Sequence, residues 1–162
     1  MTAFSKMKIW SVYVMAAPDS SGVTYFKVGR TSDIAKRVCA VQTGCPLKIK
    51  KAWVITLWGN GAAQSLEAIL HEMLSPFHSH GEWFAMRTDN LDHKRAMNAA
   101  FEKGIDFASQ MKRVRWRELS VDDLRAAMAE LRQEQNEQMR QSQERAKRKA
   151  MAMMCLGKRR IL

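Results

Sequence analysis

The sequence predicts an α+β domain: a small three-stranded antiparallel sheet flanked by helices, with a long basic C-terminal helix. Three observations carry this expectation. Runs rich in β-branched and aromatic residues occur at 9–15, 23–28 and 53–58, each bounded by turn formers. Segments with apolar residues at helical spacing fall between and after them, in the order strand, strand, helix, strand, helix. Beyond about residue 110 apolar residues thin out, and between Arg132 and Lys149 only Met139 and Ala146 remain. The reading is therefore a folded module over 1–110 and a basic helical extension over 111–162.

The elements follow in order. Ile9 to Met15 (IWSVYVM) is the first strand, and Pro18, Asp19, Ser20, Ser21 and Gly22 form a turn. Val23 to Val28 completes a hairpin closed by Gly29. Ser32 or Asp33 caps a helix to about Thr43, with Ile34, Val38 and Val41 on one face and Gly44 as its stop. Leu47 and Ile49 lead into a third strand through Trp58, and Gly59 to Gly61 break it. Ala62 to Leu74 is helical, burying Leu66, Ile69, Leu70, Met73 and Leu74, with Pro76 just beyond. Glu82 to Met86 reads as a short strand. Thr88 or Asp89 opens a helix to about Lys103, ended by Gly104. Ser120 with Asp123 resembles a capping box for a helix to about Met154, ~50 Å long at 1.5 Å per residue. Its apolar seam is Leu124, Met128 and Leu131, which suits docking on the core or a homodimer through this helix.

The chain has 162 residues, enough for a hydrophobic core without disulfides or metal staples. Its 27 Lys and Arg against 16 Asp and Glu leave a net charge of +11, which predicts a polyanionic partner. Residues 1–110 carry 13 basic and 9 acidic side chains (+4); residues 111–162 carry 14 and 7 (+7). No apolar run approaches the ~18 residues of a membrane-spanning helix, so no membrane partner is expected. The apolar stretch near the start has the length of a signal peptide, but its strand-like pattern argues against export. Three cysteines without a CxxC pair point to a reducing, cytoplasmic setting.

Four features of the folded module carry chemistry. Tyr13 lies mid-strand, and Lys27-Val28-Gly29-Arg30 ends the next strand. Arg37 follows Gly29 by eight residues, on the first helix, and Glu67 sits one helical turn before His71. His71, His78 and His80 with Glu67 and Glu82 cluster in sequence, yet their spacing matches no strong zinc signature. Glu82-Trp83-Phe84 reads as a core strand, with Glu82 a hydrogen-bonding anchor for the site.

These residues resemble the GIY-YIG nuclease superfamily, and more closely its phage and bacterial branch of small single-domain members. Ser11-Val12-Tyr13 is similar to the first motif and Lys27-Val28-Gly29 to the second. The strings FKVGRTSDIAKRVCAVQTG, LEAILHEML and GEWF look like that branch's signature, covering residues 9–86. The resemblance implies a metal-dependent endonuclease that hydrolyses DNA phosphodiesters. It implies Tyr13 as general base and Arg37 as charge stabiliser. Glu67 would be the ligand of Mg²⁺ (or Mn²⁺), with Lys27, Arg30 and His71 in support. Residue chemistry agrees: Arg37 offers a permanent planar fork for phosphate. Mg²⁺ takes as few as one carboxylate and keeps several waters. Tyr13 serves as base if neighbouring cations lower its pKa. Two positions depart from the family pattern: Ser11 replaces a glycine, and Lys27 replaces the second tyrosine.

The extension adds nucleic-acid contacts. Arg113, Arg115 and Arg117 interleave with Trp116 beside Lys112, and Arg145, Lys147, Arg148 and Lys149 line the helix, with Lys158 to Arg160 beyond. Two alternatives stand beside the nuclease: a non-cleaving DNA-binding protein on the same fold, and an interaction protein recruiting a partner through the C-terminal helix.

Overall fold

Ile9–Pro18 (β1) is buried along almost its whole length. A strand hidden on both sides belongs at the centre of a sheet covered on both faces. A computed structural model describes residues 9–111 and 115–120, with 122, 123, 126, 129, 133, 136, 137 and 139–148 beyond them. The remaining elements are β2 (Val23–Thr31), α1 (Ile34–Gly44), β3 (Lys51–Trp58), α2 (Asn60–Leu74), a 3₁₀ turn (Ser75–Phe77), β4 (His78–His80), β5 (Trp83–Arg87), α3 (Leu91–Ser109) and β6 (Arg115–Leu119).

The sheet has six strands in the order β4-β5-β2-β1-β3-β6, and every pairing is antiparallel. The expected three-stranded sheet is its centre only. Local sequence does not show the outer pairings. The β4 residues His-Ser-His are all exposed and carry no apolar alternation. The segment Arg115–Leu119 reads as a basic patch, yet it hydrogen-bonds to β3 with Val54 opposite Arg117. The segment read as a strand over Glu82–Met86 is β5, and its partner is β2.

The two-residue period of each strand sorts side chains onto two faces. Val12, Val14, Val28, Phe26, Ile55 and Leu57 face α2 and α3, meeting Leu66, Leu70, Leu74, Met97 and Ala100. Tyr13, Met15, Ala52 and Val54 face α1, meeting Val38 and Val41. The sheet is thus the middle layer of three.

The start of α1 is as expected, and those of α2 and α3 differ for identifiable reasons. Asp33 caps α1, accepting from Lys36 N at 3.1 Å. Asn90, rather than Thr88 or Asp89, caps α3, accepting from Asp92 N and His93 N. Asp89 is already engaged by both Nε and Nη2 of Arg87. α2 begins at Asn60, because Gly59 turns the chain at φ +88°. α3 also runs past Gly104 instead of stopping there. That glycine is buried where α3 crosses α2, and a Cβ would lie 3.4 Å from both Leu66 Cδ1 and Leu70 Cδ2. Its role is close helix packing, not termination.

β3 begins at Lys51 rather than near Leu47, because the preceding loop is latched to α1. Gln42 donates to Leu47 O at 3.0 Å and accepts from Ile49 N at 2.9 Å. At the other end, Ser120 and Asp123 make reciprocal capping bonds, and the described residues between 122 and 148 are helical. The seam residues Leu124, Met128 and Leu131 lie outside the described residues.

Candidate active site

Tyr13 is wholly buried in the middle of β1, directly opposite Gly29 of β2. A Cβ on Gly29 would overlap the phenol, lying 2.7 Å from Tyr13 Cζ and closer still to Oη. The glycine therefore makes room for the Tyr13 ring to lie across β2. That ring reaches toward α1, where Arg37 Nε donates to Tyr13 Oη at 2.6 Å. The guanidinium also sits over the ring, 5.8 Å from its centroid. Tyr13 thus fixes the near end of Arg37, while the Arg37 side chain remains 37% exposed.

Glu82 completes this cluster from the turn before β5. Its Oε2 accepts from Lys27 Nζ at 2.8 Å and from Arg37 Nη2 at 3.5 Å. The backbone holds it in place, because Val28 N donates to Glu82 O at 3.2 Å. Lys27 projects beside Trp83, its cross-strand neighbour, with Nζ 5.3 Å from the ring centroid.

Arg30 leaves β2 on the opposite face, toward α2. Its Nε donates to Glu67 Oε2 at 2.6 Å and its Nη1 to Asn60 Oδ1 at 2.6 Å. The charge of Glu67 is the weakest of the influences on Tyr13 and on Arg37, so the two clusters are separate, one on each face of the sheet. Three cations (Lys27, Arg30, Arg37) face two carboxylates (Glu67, Glu82), a local balance of +1. His71, half-buried and one turn along α2 from Glu67, packs edge-on against Phe84 at 5.3 Å.

Electrostatics reassigns Tyr13. Burial pushes its hydroxyl above the ordinary value, and the charges of Glu82 and Glu67 add to the rise. The hydrogen bond and charge of Arg37 pull the other way without prevailing. The expected lowering is overturned: near neutrality Tyr13 is a neutral phenol. Arg37 is held firmly protonated, first by its hydrogen bond to Tyr13. Burial works against the Glu82 carboxylate, yet the Lys27 hydrogen bond, with the charges of Lys27 and Arg37, holds it below the usual carboxylate range.

The donor set bears on a metal. Among the described residues no group of three or more His, Cys, Asp or Glu side chains converges on one point. His78 bonds Gly81 O and His80 bonds Ser79, both away from Glu67. Glu67 has one oxygen taken by Arg30, and no described group bonds the other. A single carboxylate with a free oxygen fits Mg²⁺ that draws its remaining ligands from waters and a phosphate, not a closed protein cage.

Of the expected nucleic-acid residues, Arg115 and Arg117 are exposed on β6, and the register places them on the Tyr13 face of the sheet. Arg145, Lys147 and Arg148 are exposed on the helical segment, where Arg148 pairs with Glu144. Lys112, Arg113, Lys149, Lys158 to Arg160 and the Trp116 side chain lie outside the described residues. Two contributors escape sequence reading. Asn60 sits in a glycine-flanked break with nothing to mark it as a partner of Arg30. Gln42 is an isolated polar residue whose loop contacts no local pattern reveals.

The class that fold and site define is an α+β domain with clustered cations and carboxylates at a sheet–helix junction. A family model, the T5orf172 domain, matches residues 11–103, more than half of the chain. The chain belongs to the T5orf172 domain family, a phage-associated domain related to the GIY-YIG-type nuclease fold. The GIY-YIG family itself gives no direct match. No curated protein and no solved structure matches the chain. Among the described residues no helix is long and apolar enough to cross a membrane.

Proposed function

We propose that the chain is a metal-dependent endonuclease of GIY-YIG type that hydrolyses DNA phosphodiester bonds. The observation that carries this reading is the convergence of Lys27, Arg37 and Glu82 with Tyr13. Arg37, half-exposed and anchored by Tyr13, meets the scissile phosphate and opposes the charge that grows there during in-line attack by water. Lys27 adds a second cation, in the position where the related motif carries a tyrosine. Glu82 holds both cations in register. His71 is the imidazole near Glu67 available for proton transfer. Glu67 would hold Mg²⁺ or Mn²⁺, which supplies Lewis-acid stabilisation of phosphate oxygens when bound. Tyr13 is a positioning residue rather than the base.

A non-cleaving DNA-binding protein is the second reading. It is favoured by the pairing of both carboxylates: Oε2 of Glu67 and Oε2 of Glu82 each already accept from an in-chain cation. Plasmid nicking decides between them. The wild type is expected to nick supercoiled plasmid with Mg²⁺ or Mn²⁺, and Arg37→Ala and Glu67→Ala to lose at least about a hundredfold in rate. Binding without nicking under either metal would establish the second reading. A cytoplasmic location and a homodimer through the C-terminal helix belong to the same proposal.

A further inference from the structure

Beside the site, on the α1 face of the sheet, lies a cleft of about 420 Å³. It opens between the loop after α1, the β1–β2 turn and the β4–β5 hairpin. Tyr25, His80 and Trp83 supply ring surface to it, Cys45 and Leu47 line the loop side, and Asp19 from the β1–β2 turn also lines it. No lysine or arginine is among its lining residues. In a chain of net charge +11 this is a local exception, and it makes the cleft unsuited to a phosphate. Asp19 strengthens the point, because its hydrogen bonds from Ser21, the largest influence, hold it ionised. An aromatic lining that includes no cation of its own suits a flat, uncharged ring, and the volume falls in the ~300–1,000 Å³ range of small-molecule sites.

Position supplies the ligand. Trp83 is the cross-strand neighbour of Lys27, and the Lys27 ammonium lies over its ring. Tyr25 lies two residues before Lys27 on the same face of β2. The His80 ring is near-parallel to Trp83, at 23° with centroids 6.4 Å apart. A strand whose phosphate met Lys27 and Arg37 would bring an adjoining nucleobase to this cleft, provided the base were out of the duplex stack. The geometry points to a stacking pocket for an unpaired nucleobase next to the scissile phosphate. The substrate class is then DNA carrying an unpaired nucleotide, such as a flap, bulge or single-stranded end. This inference rests on the proposed DNA reading. An already unpaired base enters without the cost of extrusion, so the pocket confers selectivity.

The test uses the full chain in EDTA, so that binding is read without cleavage. The probes are a duplex with one bulged 2-aminopurine and the matching fully paired duplex. The bulged probe is expected to bind about tenfold more tightly, with 2-aminopurine fluorescence quenched by stacking. His80→Ala, at an exposed position, and Tyr25→Leu are expected to erase most of that preference while leaving paired-duplex affinity unchanged. Trp83→Phe is expected to retain it, because a ring remains; this variant also guards against the folding loss that Trp83→Ala risks. Equal affinity for the two probes, with salt-sensitive binding of both, would overturn the pocket and spare the DNA reading. Failure of either probe to bind at any salt concentration would overturn both.

Discussion

The Tyr13 phenol lies across Gly29, an arrangement that requires a residue without Cβ on β2. Gly29→Ala is expected to destabilise the protein by about 2 kcal/mol, the scale of overpacking a filled interior, read as a lowered Tm. In a Tyr13→Leu background the same substitution should cost clearly less, because the overlapping ring atoms are gone. Additive losses in that double-mutant cycle would show that Gly29 matters for another reason. Burial sets the titration of Tyr13. Its pKa is raised on folding, so the unfolded chain releases this proton first, and stability falls as the pH climbs above about 10. Glu82 has the opposite sign. Its pKa is depressed on folding, so its contribution is present above about pH 4.5 and is lost as the pH falls through the lower folded value. Thermal melts of wild type and Glu82→Gln across pH 3–7 check this: the two curves should converge at the acid end. An unchanged gap would remove Glu82 from the ion-pair cluster.

Elements meet through choices that local periodicity does not display. Gly104 occupies the α2–α3 crossing, where a methyl group would just touch Leu66 and Leu70. Gly104→Ala is expected to gain about 0.5–1 kcal/mol from helix propensity, since the contact distance is ordinary. Gly104→Leu should lose about 1–3 kcal/mol by forcing the helices apart. A destabilising alanine would mean that the crossing tolerates no added atom. On β6, the two-residue period turns Arg115 and Arg117 to the face that bears Tyr13. Arg115→Glu with Arg117→Glu is expected to weaken DNA binding and to lower the slope of log K against log salt by about 2, one for each lost phosphate contact. An unchanged slope would place the DNA path away from this edge.

The molecule as a whole divides its charge between sheet and tail. β6 joins the sheet from beyond residue 110, and Leu119 packs with the Tyr13 cluster. A chain ending at Ser120 keeps the whole sheet and loses 10 basic and 6 acidic residues, a change of +4 out of +11. It is expected to melt near the full chain and to bind DNA with a shallower salt dependence. A chain ending at Gln110 loses β6 as well and should melt several degrees lower. Equal melting of the two truncations would show that β6 adds nothing to the sheet's stability.

The central hairpin and the three helices were legible because each follows from short-range pattern, whereas the candidate site residues came from the family resemblance. Runs of β-branched and aromatic residues between turn formers mark β1 to β3, helical spacing marks α1 to α3, and the spacing from Gly29 to Arg37 lies within one loop and one helix. The +11 charge likewise needs only counting. Three things were decided by the tertiary structure alone. β5 pairs with β2 and β6 with β3, segments far apart in the chain, and no local rule encodes such partners. The pKa of Tyr13 depends on how much solvent the fold removes, which a list of neighbouring cations does not contain. The partners of Glu67 and Glu82 depend on which face each strand turns to its helix. Sequence supplies the groups available to the candidate site, because chemistry belongs to side chains. Folding decided which of them meet, and in what dielectric.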